Sequence, residues 1–212
     1  MKNTLRREMR RRRAARGAAA DAAASAAAQE RLCAWTIFRN AQRVACYLSA
    51  PGEVGTERIV KACFEAGKRL AVPARRGSPM EYGFCRLEPG TPMKTGALGI
   101  REPARPEWVE PAELDLIVVP GVAFDAAGRR LGHGLGCYDR LLPAAGRALK
   151  AGLAFEWQLA PAVPAEAHDV AMDAVVTERT IYESGAGTGA ARRAPETRGE
   201  HDRKGKGIHH DE

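Results

Sequence analysis

Strands alternating with helices, one uninterrupted apolar run and a glycine-rich loop leading into a helix predict an α/β protein. The expected architecture is three-layered and Rossmann-like, with a mostly parallel central sheet flanked by helices. The apolar run is "LDLIVVPG" (114–121), whose lack of alternation suits a central strand covered on both faces. The loop lies in "RRLGHGLGCYDR" (129–140), with glycine at every second position from Gly132 to Gly136.

Residues 1–38 read as helix broken near Gly17, because alanine, the strongest helix former, dominates positions 14–29. Leu32, Trp35, Ile37 and Phe38 supply its buried contacts. "RVACYLS" (43–49) has strand length and is followed by the loop "APGEVG". "TERIVKACFEAGKR" (56–69) opens on a capping residue, Thr56, carries Ile59, Val60, Cys63 and Phe64 at helical spacing, and stops at Gly67. "LAVPA" (70–74) is the next strand, and "MEYGFCRLE" (80–88) alternates as an edge strand does. The stretch 89–108, rich in Pro and Gly, reads as loop. Beyond the glycine loop, "YDRLLPAAGRALK" (138–150) reads as helix despite Pro143, with strands at "AGLAF" (151–155) and "DAVVTE" (173–178). From Ser184 onward the chain is Gly-rich, charged and nearly free of large apolar groups. Residues 1–183 are therefore expected to form the folded domain and 184–212 a disordered tail.

A chain of 212 residues can bury an ordinary α/β core without metal or disulfide staples. Its cysteines, Cys33, Cys46, Cys63, Cys85 and Cys137, are odd in number, dispersed and free of C-x-x-C spacing. That argues against a disulfide framework or zinc ribbon and for a reducing, cytoplasmic setting. No apolar run approaches the ~18–20 residues of a membrane span, and no signal-peptide core is present. The net charge of +7 sits wholly in residues 1–16, where Lys2, Arg6, Arg7, Arg10, Arg11, Arg12, Arg13 and Arg16 face the single acid Glu8. This is a basic end on an otherwise balanced chain. A solvated helix surface, a nucleic-acid arm and an organelle transit peptide are all consistent with it.

The glycine loop follows a buried strand and enters a helix, where open α/β sheets bind ligands beyond the carboxyl ends of their strands. Alternate glycines strip side chains from one wall, so backbone amides can approach a phosphate. The spacing is neither the dinucleotide fingerprint nor the P-loop. Arg129, Arg130 and Arg140 add flanking cations suited to phosphate oxygens. Asp139, in the first turn of the following helix, suits either the helix dipole or a Mg²⁺ beside a polyphosphate. His133 shows no partner in the sequence, and nothing near Cys137 would activate it as a nucleophile.

"VVPGVAFDAAGRRLGHGLGCYDRLL" (118–142) closely resembles the signature block of the 5-formyltetrahydrofolate cyclo-ligase family, also called methenyltetrahydrofolate synthetases. The similarity extends in order over residues 2–177, through "KNTLR", "YLSAPGEVGT" (47–56), "GALGIREP" (96–103), "GLAFEWQL" and "VPAEAHDVAMDAVVT". Cys137 stands where the family has an aromatic residue and Arg101 where it often has proline, and the tail has no counterpart.

The resemblance implies an ATP- and Mg²⁺-dependent cyclisation of 5-formyltetrahydrofolate to 5,10-methenyltetrahydrofolate, by phosphorylation of the formyl oxygen and release of ADP and phosphate. It implies that Lys2 and Arg6 contact ATP phosphates, which weakens the transit-peptide reading because cleavage would remove both. Arg130, Leu131, Gly132, His133, Gly134, Leu135, Gly136, Cys137 and Tyr138 would complete the ATP site. Leu48, Glu53 and Tyr138 would border the folate, Glu53 accepting hydrogen bonds from the pterin. Asp139 would hold Mg²⁺, with Asp173 as a second acid near the metal. No catalytic nucleophile or base is implied beyond positioning and charge stabilisation. The implied partners are small molecules, the reduced folate and ATP; no nucleic acid and no membrane partner is expected, and the chain is expected to be a monomer.

Overall fold

Apolar residues on two alternating faces of one sheet organise the chain. In a computed structural model, which describes residues 1–77, 81–96 and 99–185, the strands are β1 (Arg43–Cys46), β2 (Arg69–Arg75), β3 (Tyr82–Leu87), β4 (Met93–Thr95), β5 (Arg101–Pro103), β6 (Trp108–Val109), β7 (Leu116–Val119), β8 (Ala123–Phe124), β9 (Arg130–Leu131), β10 (Leu149–Leu153), β11 (Ala174–Val176) and β12 (Ile181–Glu183). The main sheet has the order β12-β11-β10-β7-β1-β2-β3-β6. From β11 to β2 every pairing is parallel, while β12, β3 and β6 join antiparallel at the two sides. The helices are α1 (Lys2–Ala14), α2 (Ala18–Ala34), α3 (Thr36–Asn40), α4 (Glu57–Glu65) and α5 (Cys137–Leu141).

Because side chains alternate along a strand, Val44, Cys46, Leu116 and Val118 meet Leu32, Ile59 and Cys63 of α2 and α4 on one face. Ala45, Ile117 and Val119 meet Phe124, Leu141 and Leu142 on the other. Leu32 and Ile59 are fully buried, each contributing about 1.5–3 kcal/mol of transfer free energy. A smaller cluster seats α1 on the β8–β9 hairpin through Met9, Ala123 and Leu131. None of the helices among the described residues is long and apolar enough to cross a membrane.

The predicted three-layer sheet is present, with instructive local differences. The first helix is broken at Gly17, as expected. Thr56 precedes α4 but makes no capping bond through its side chain; the Arg58 amide instead donates to Gln29 Oε1 of α2 at 2.9 Å. The 80–88 strand is not an edge, because β6 pairs outside it, and the stretch read as loop holds β4, β5 and β6. Strands of two or three residues carry too little periodicity to be read from sequence. The helix expected at 138–150 is only α5 and a 3₁₀ turn, Leu142–Ala145, after which β10 begins at Leu149. Pro143 lacks the N–H an α-helix requires there. Ser184, placed by sequence at the start of the tail, is buried and donates to Met172 O at 2.7 Å. Residues 186–212, the remainder of the expected tail, lie outside the described residues.

The strand order has one consequence for function. From β1 the chain passes to β2 on one side, whereas β7 leads to β10 and β11 on the other. The reversal of direction lies between β1 and β7, the place where open parallel sheets form a crevice at their carboxyl ends.

Candidate active site

A cleft of about 900 Å³, open mouth included, occupies that crevice. Tyr47, Leu48 and Glu53 enter it from the segment after β1, and Pro120 from the end of β7. Arg130, Gly132, His133, Leu135, Gly136, Cys137, Tyr138 and Asp139 form the opposite wall, with Pro73, Tyr82, Ile100, Glu102 and Leu141 completing the lining.

The loop keeps its shape through glycine. Gly134 has φ +105° and Gly136, immediately before α5, has φ +62°, backbone states that L side chains rarely adopt. Arg6 Nε donates to Gly132 O at 2.9 Å, tying α1 to the loop, and Arg140 Nη2 donates to Leu135 O at 2.9 Å.

Arg130 is the buried cation of the wall. Its side chain is only 5% exposed, Nη2 donates to Asp139 Oδ1 at 2.6 Å, and the guanidinium lies 5.6 Å from the centre of the Tyr138 ring. Its Nε–H is buried without a partner among the described residues. An unspent donor on an enclosed cation costs stability that an anionic ligand group can return. Asp139 keeps its second oxygen clear of that pairing.

Across the cleft, Glu53 Oε2 accepts from the Ala50 amide at 2.9 Å, while Oε1 lies 3.6 Å from His133 Nε2. His133 thus has a partner, which only the tertiary structure reveals. The Tyr47 hydroxyl donates to Val54 O at 2.7 Å and braces the Glu53 loop from beneath. Burial, followed by the negative charge of Glu53, pushes the hydroxyls of both Tyr47 and Tyr138 well above their ordinary value. Both remain protonated donors at neutral pH. Burial also raises the Cys137 thiol, outweighing Arg140 and Arg130, so it stays neutral and is no ready nucleophile.

Not every residue singled out from sequence joins this wall. Leu131 is a core residue, 1% exposed, packed with Met9. Gly134 is not part of the cleft lining and lies beside Arg6. Lys2 is engaged by Asp169 at 2.7 Å and Glu166 at 3.3 Å, anchoring the start of α1 to the segment before β11. Asp173 is separated from Asp139: it precedes β11 at the amino end of the parallel strands, where its Oδ2 accepts from the Lys150 amide at 2.8 Å. The resemblance implies a place for it near the metal with Asp139, whereas the glycine loop and Asp139 lie at the carboxyl end of the sheet. Glu102 was not foreseen. It is 5% exposed, lines the cleft from β5, and sits in a stretch whose composition signals only loop.

A sequence profile described as the 5-formyltetrahydrofolate cyclo-ligase family matches residues 1–178. The chain belongs to that family. It is accordingly an enzyme, a cyclo-ligase. The 5-formyltetrahydrofolate cyclo-ligase of Mycolicibacterium smegmatis is 36% identical over 149 residues, covering 66% of this chain and 75% of that protein. The Escherichia coli K12 cyclo-ligase is 33% identical over 150 residues, 68% and 81% of the two chains. The solved 5,10-methenyltetrahydrofolate synthetase of Aquifex aeolicus superposes with a TM-score of 0.77 at 31% identity, covering 93% of this cyclo-ligase and 99% of that chain.

Proposed function

We propose that this cyclo-ligase converts 5-formyltetrahydrofolate to 5,10-methenyltetrahydrofolate with consumption of ATP, releasing ADP and phosphate. The observation that carries the reading is the meeting of two unlike walls in one cleft. Glu53, an acceptor matched to the N–H edge of a pterin, faces a glycine loop backed by the buried Arg130.

The chemistry follows from a poor leaving group. A formamide oxygen does not depart as hydroxide when the neighbouring amine attacks. Transfer of the γ-phosphoryl group breaks its bond to ADP and forms a P–O bond to the formyl oxygen, giving an imidate phosphate. N10 of the folate then bonds to the formyl carbon, the C–O bond breaks, phosphate leaves, and the N10 proton passes to solvent. Such transfers need in-line placement and charge neutralisation more than covalent help. Loop amides and Arg130 receive the phosphates, and Arg6 holds the loop in place through Gly132 O. Leu48 and Tyr138 border the folate, with the Tyr138 hydroxyl kept as a donor. Lys2, in this reading, exchanges Asp169 and Glu166 for a phosphate.

A single carboxylate with one oxygen to spare suits Mg²⁺, which is commonly held by one or two carboxylates plus substrate phosphates and water. Asp139 meets that description, whereas no group of three or more His, Cys, Asp or Glu that could hold a metal exists among the described residues. When bound there, Mg²⁺ would neutralise the polyphosphate and polarise it for transfer. The free thiols of all five cysteines accord with action in the cytoplasm, and we infer a monomer.

The test is direct: mix the protein with 5-formyltetrahydrofolate, ATP and Mg²⁺ and follow the near-ultraviolet absorbance of the methenyl product. ATP-dependent appearance of that band is expected; folded protein giving no band overturns the reading.

A further inference from the structure

The cleft does not end at Glu53 and His133. The same two residues also line a second cleft of about 430 Å³, open mouth included, whose other walls include Arg10 and Arg13 of α1 and Trp157. The Glu53–His133 contact at 3.6 Å is thus the partition between two compartments of one groove.

The lining of the second compartment is rich in donors. Trp157 is held in place, stacked on Phe155 at 5.9 Å with the Arg16 guanidinium 5.7 Å from its ring. Its Nε1–H is nonetheless buried with no acceptor among the described residues. Two neighbouring cations of α1 are engaged, Arg6 with Gly132 O and Asn3 and Arg12 with Glu8. Arg13 commits one donor, Nη2, to Pro51 O at 2.7 Å. The Arg10 side chain has no hydrogen-bond or ion-pair partner among the described residues. Guanidinium forks and an indole N–H offer only donors, and the complement to such a set is a planar oxyanion.

We propose that this second compartment is a carboxylate subsite that takes the glutamyl end of the folate. The proposal rests on the reading that the pterin lies at Glu53. A reduced folate is an elongated molecule with its acidic groups at the end remote from the pterin, so a pterin in the first compartment directs those carboxylates outward past the partition. The reaction mixture contains one other oxyanion source, the nucleotide phosphates. Those already have Arg130 and the glycine loop in the first compartment.

The experiment compares the full chain with Arg10→Gln and Trp157→Phe. Arg10 is exposed, so its loss leaves the core intact, and the second variant removes the indole N–H while keeping a smaller aromatic ring against Phe155. KM and kcat are measured for 5-formyltetrahydrofolate as mono- and triglutamate, for 5-formyltetrahydropteroate, which lacks glutamate, and for ATP. A charged hydrogen bond lost here corresponds to a rise of about tenfold or more in KM for the glutamylated substrates. The pteroate compound should show no rise in either variant, and KM for ATP should not move. Unchanged KM for both glutamylated substrates in both variants overturns the subsite. A rise confined to ATP also overturns it and assigns the compartment to the nucleotide. Wild-type turnover of the pteroate compound, with no gain from added glutamates, overturns the subsite while sparing the proposed activity. Absence of turnover with every folate overturns both.

Discussion

Arg130 Nη2 reaches Asp139 Oδ1 at 2.6 Å, joining the strand that enters the glycine loop to the helix that leaves it. The loop between them carries backbone that only glycine adopts without strain, so this charged bond closes the loop at its base. Arg130→Met should therefore uncouple Asp139 from the loop as well as remove a cation. Removing one preorganised charge from a reacting site commonly costs about 10²–10³ in rate. We expect kcat/KM to fall by that order, with a urea midpoint also lowered because Asp139 loses its partner.

Gly134→Val should separate nucleotide binding from folate binding. Its φ of +105° is strained for any L residue, at a cost of about 1–2 kcal/mol and more for a β-branched one. The loop should then rearrange, raising KM for ATP and suppressing turnover. Folate affinity measured by fluorescence quenching without nucleotide should stay within about twofold. Equal loss of both affinities would count against a dedicated phosphate loop.

Glu53→Gln should show the opposite split. The amide retains one acceptor and adds donors that the pterin edge cannot use, so folate affinity should drop by about 10- to 100-fold. KM for ATP should be nearly unchanged. Little loss of folate affinity would point to a different substrate in the first compartment.

Asp125 is the main fastening of the β8–β9 hairpin. It is 1% exposed and accepts from the amides of Ala127, Arg129 and Val163 and from Arg129 Nε, at 2.7–3.0 Å. Asp125→Ala leaves these donors without their acceptor. A loss of about 3–5 kcal/mol is expected from denaturant unfolding, with activity falling through misplacement of Arg130 and not through contact with substrate.

Acid sensitivity follows from two carboxylates. Burial alone would raise the Asp115 and Asp169 carboxyls. Hydrogen bonds from Arg43 and the Arg43 and Gln42 amides at Asp115, and from Lys2 and the Glu166 amide at Asp169, outweigh it and hold both below their ordinary value. A depressed folded value means the stabilisation is present above the unfolded value of about 3.9 and is lost as pH falls through the folded one. Stability should decline below about pH 4, and Asp115→Asn should flatten that decline in urea titrations across pH. An unaltered acid limb would refute the assignment.

The sequence alone determined the layered α/β plan, the buried central strand, the helix break at Gly17, and the glycine loop with its flanking cations. These are local properties: apolar runs, propensity and backbone freedom are written in neighbouring residues. Only the tertiary structure decided that Glu53 and His133 meet, that Glu102 is buried in the cleft, and that Asp173 lies away from Asp139. The physical reason is that strand order and direction determine which segments share an end of the sheet. A carboxylate's role depends on the end at which it emerges, and no short stretch of sequence records that.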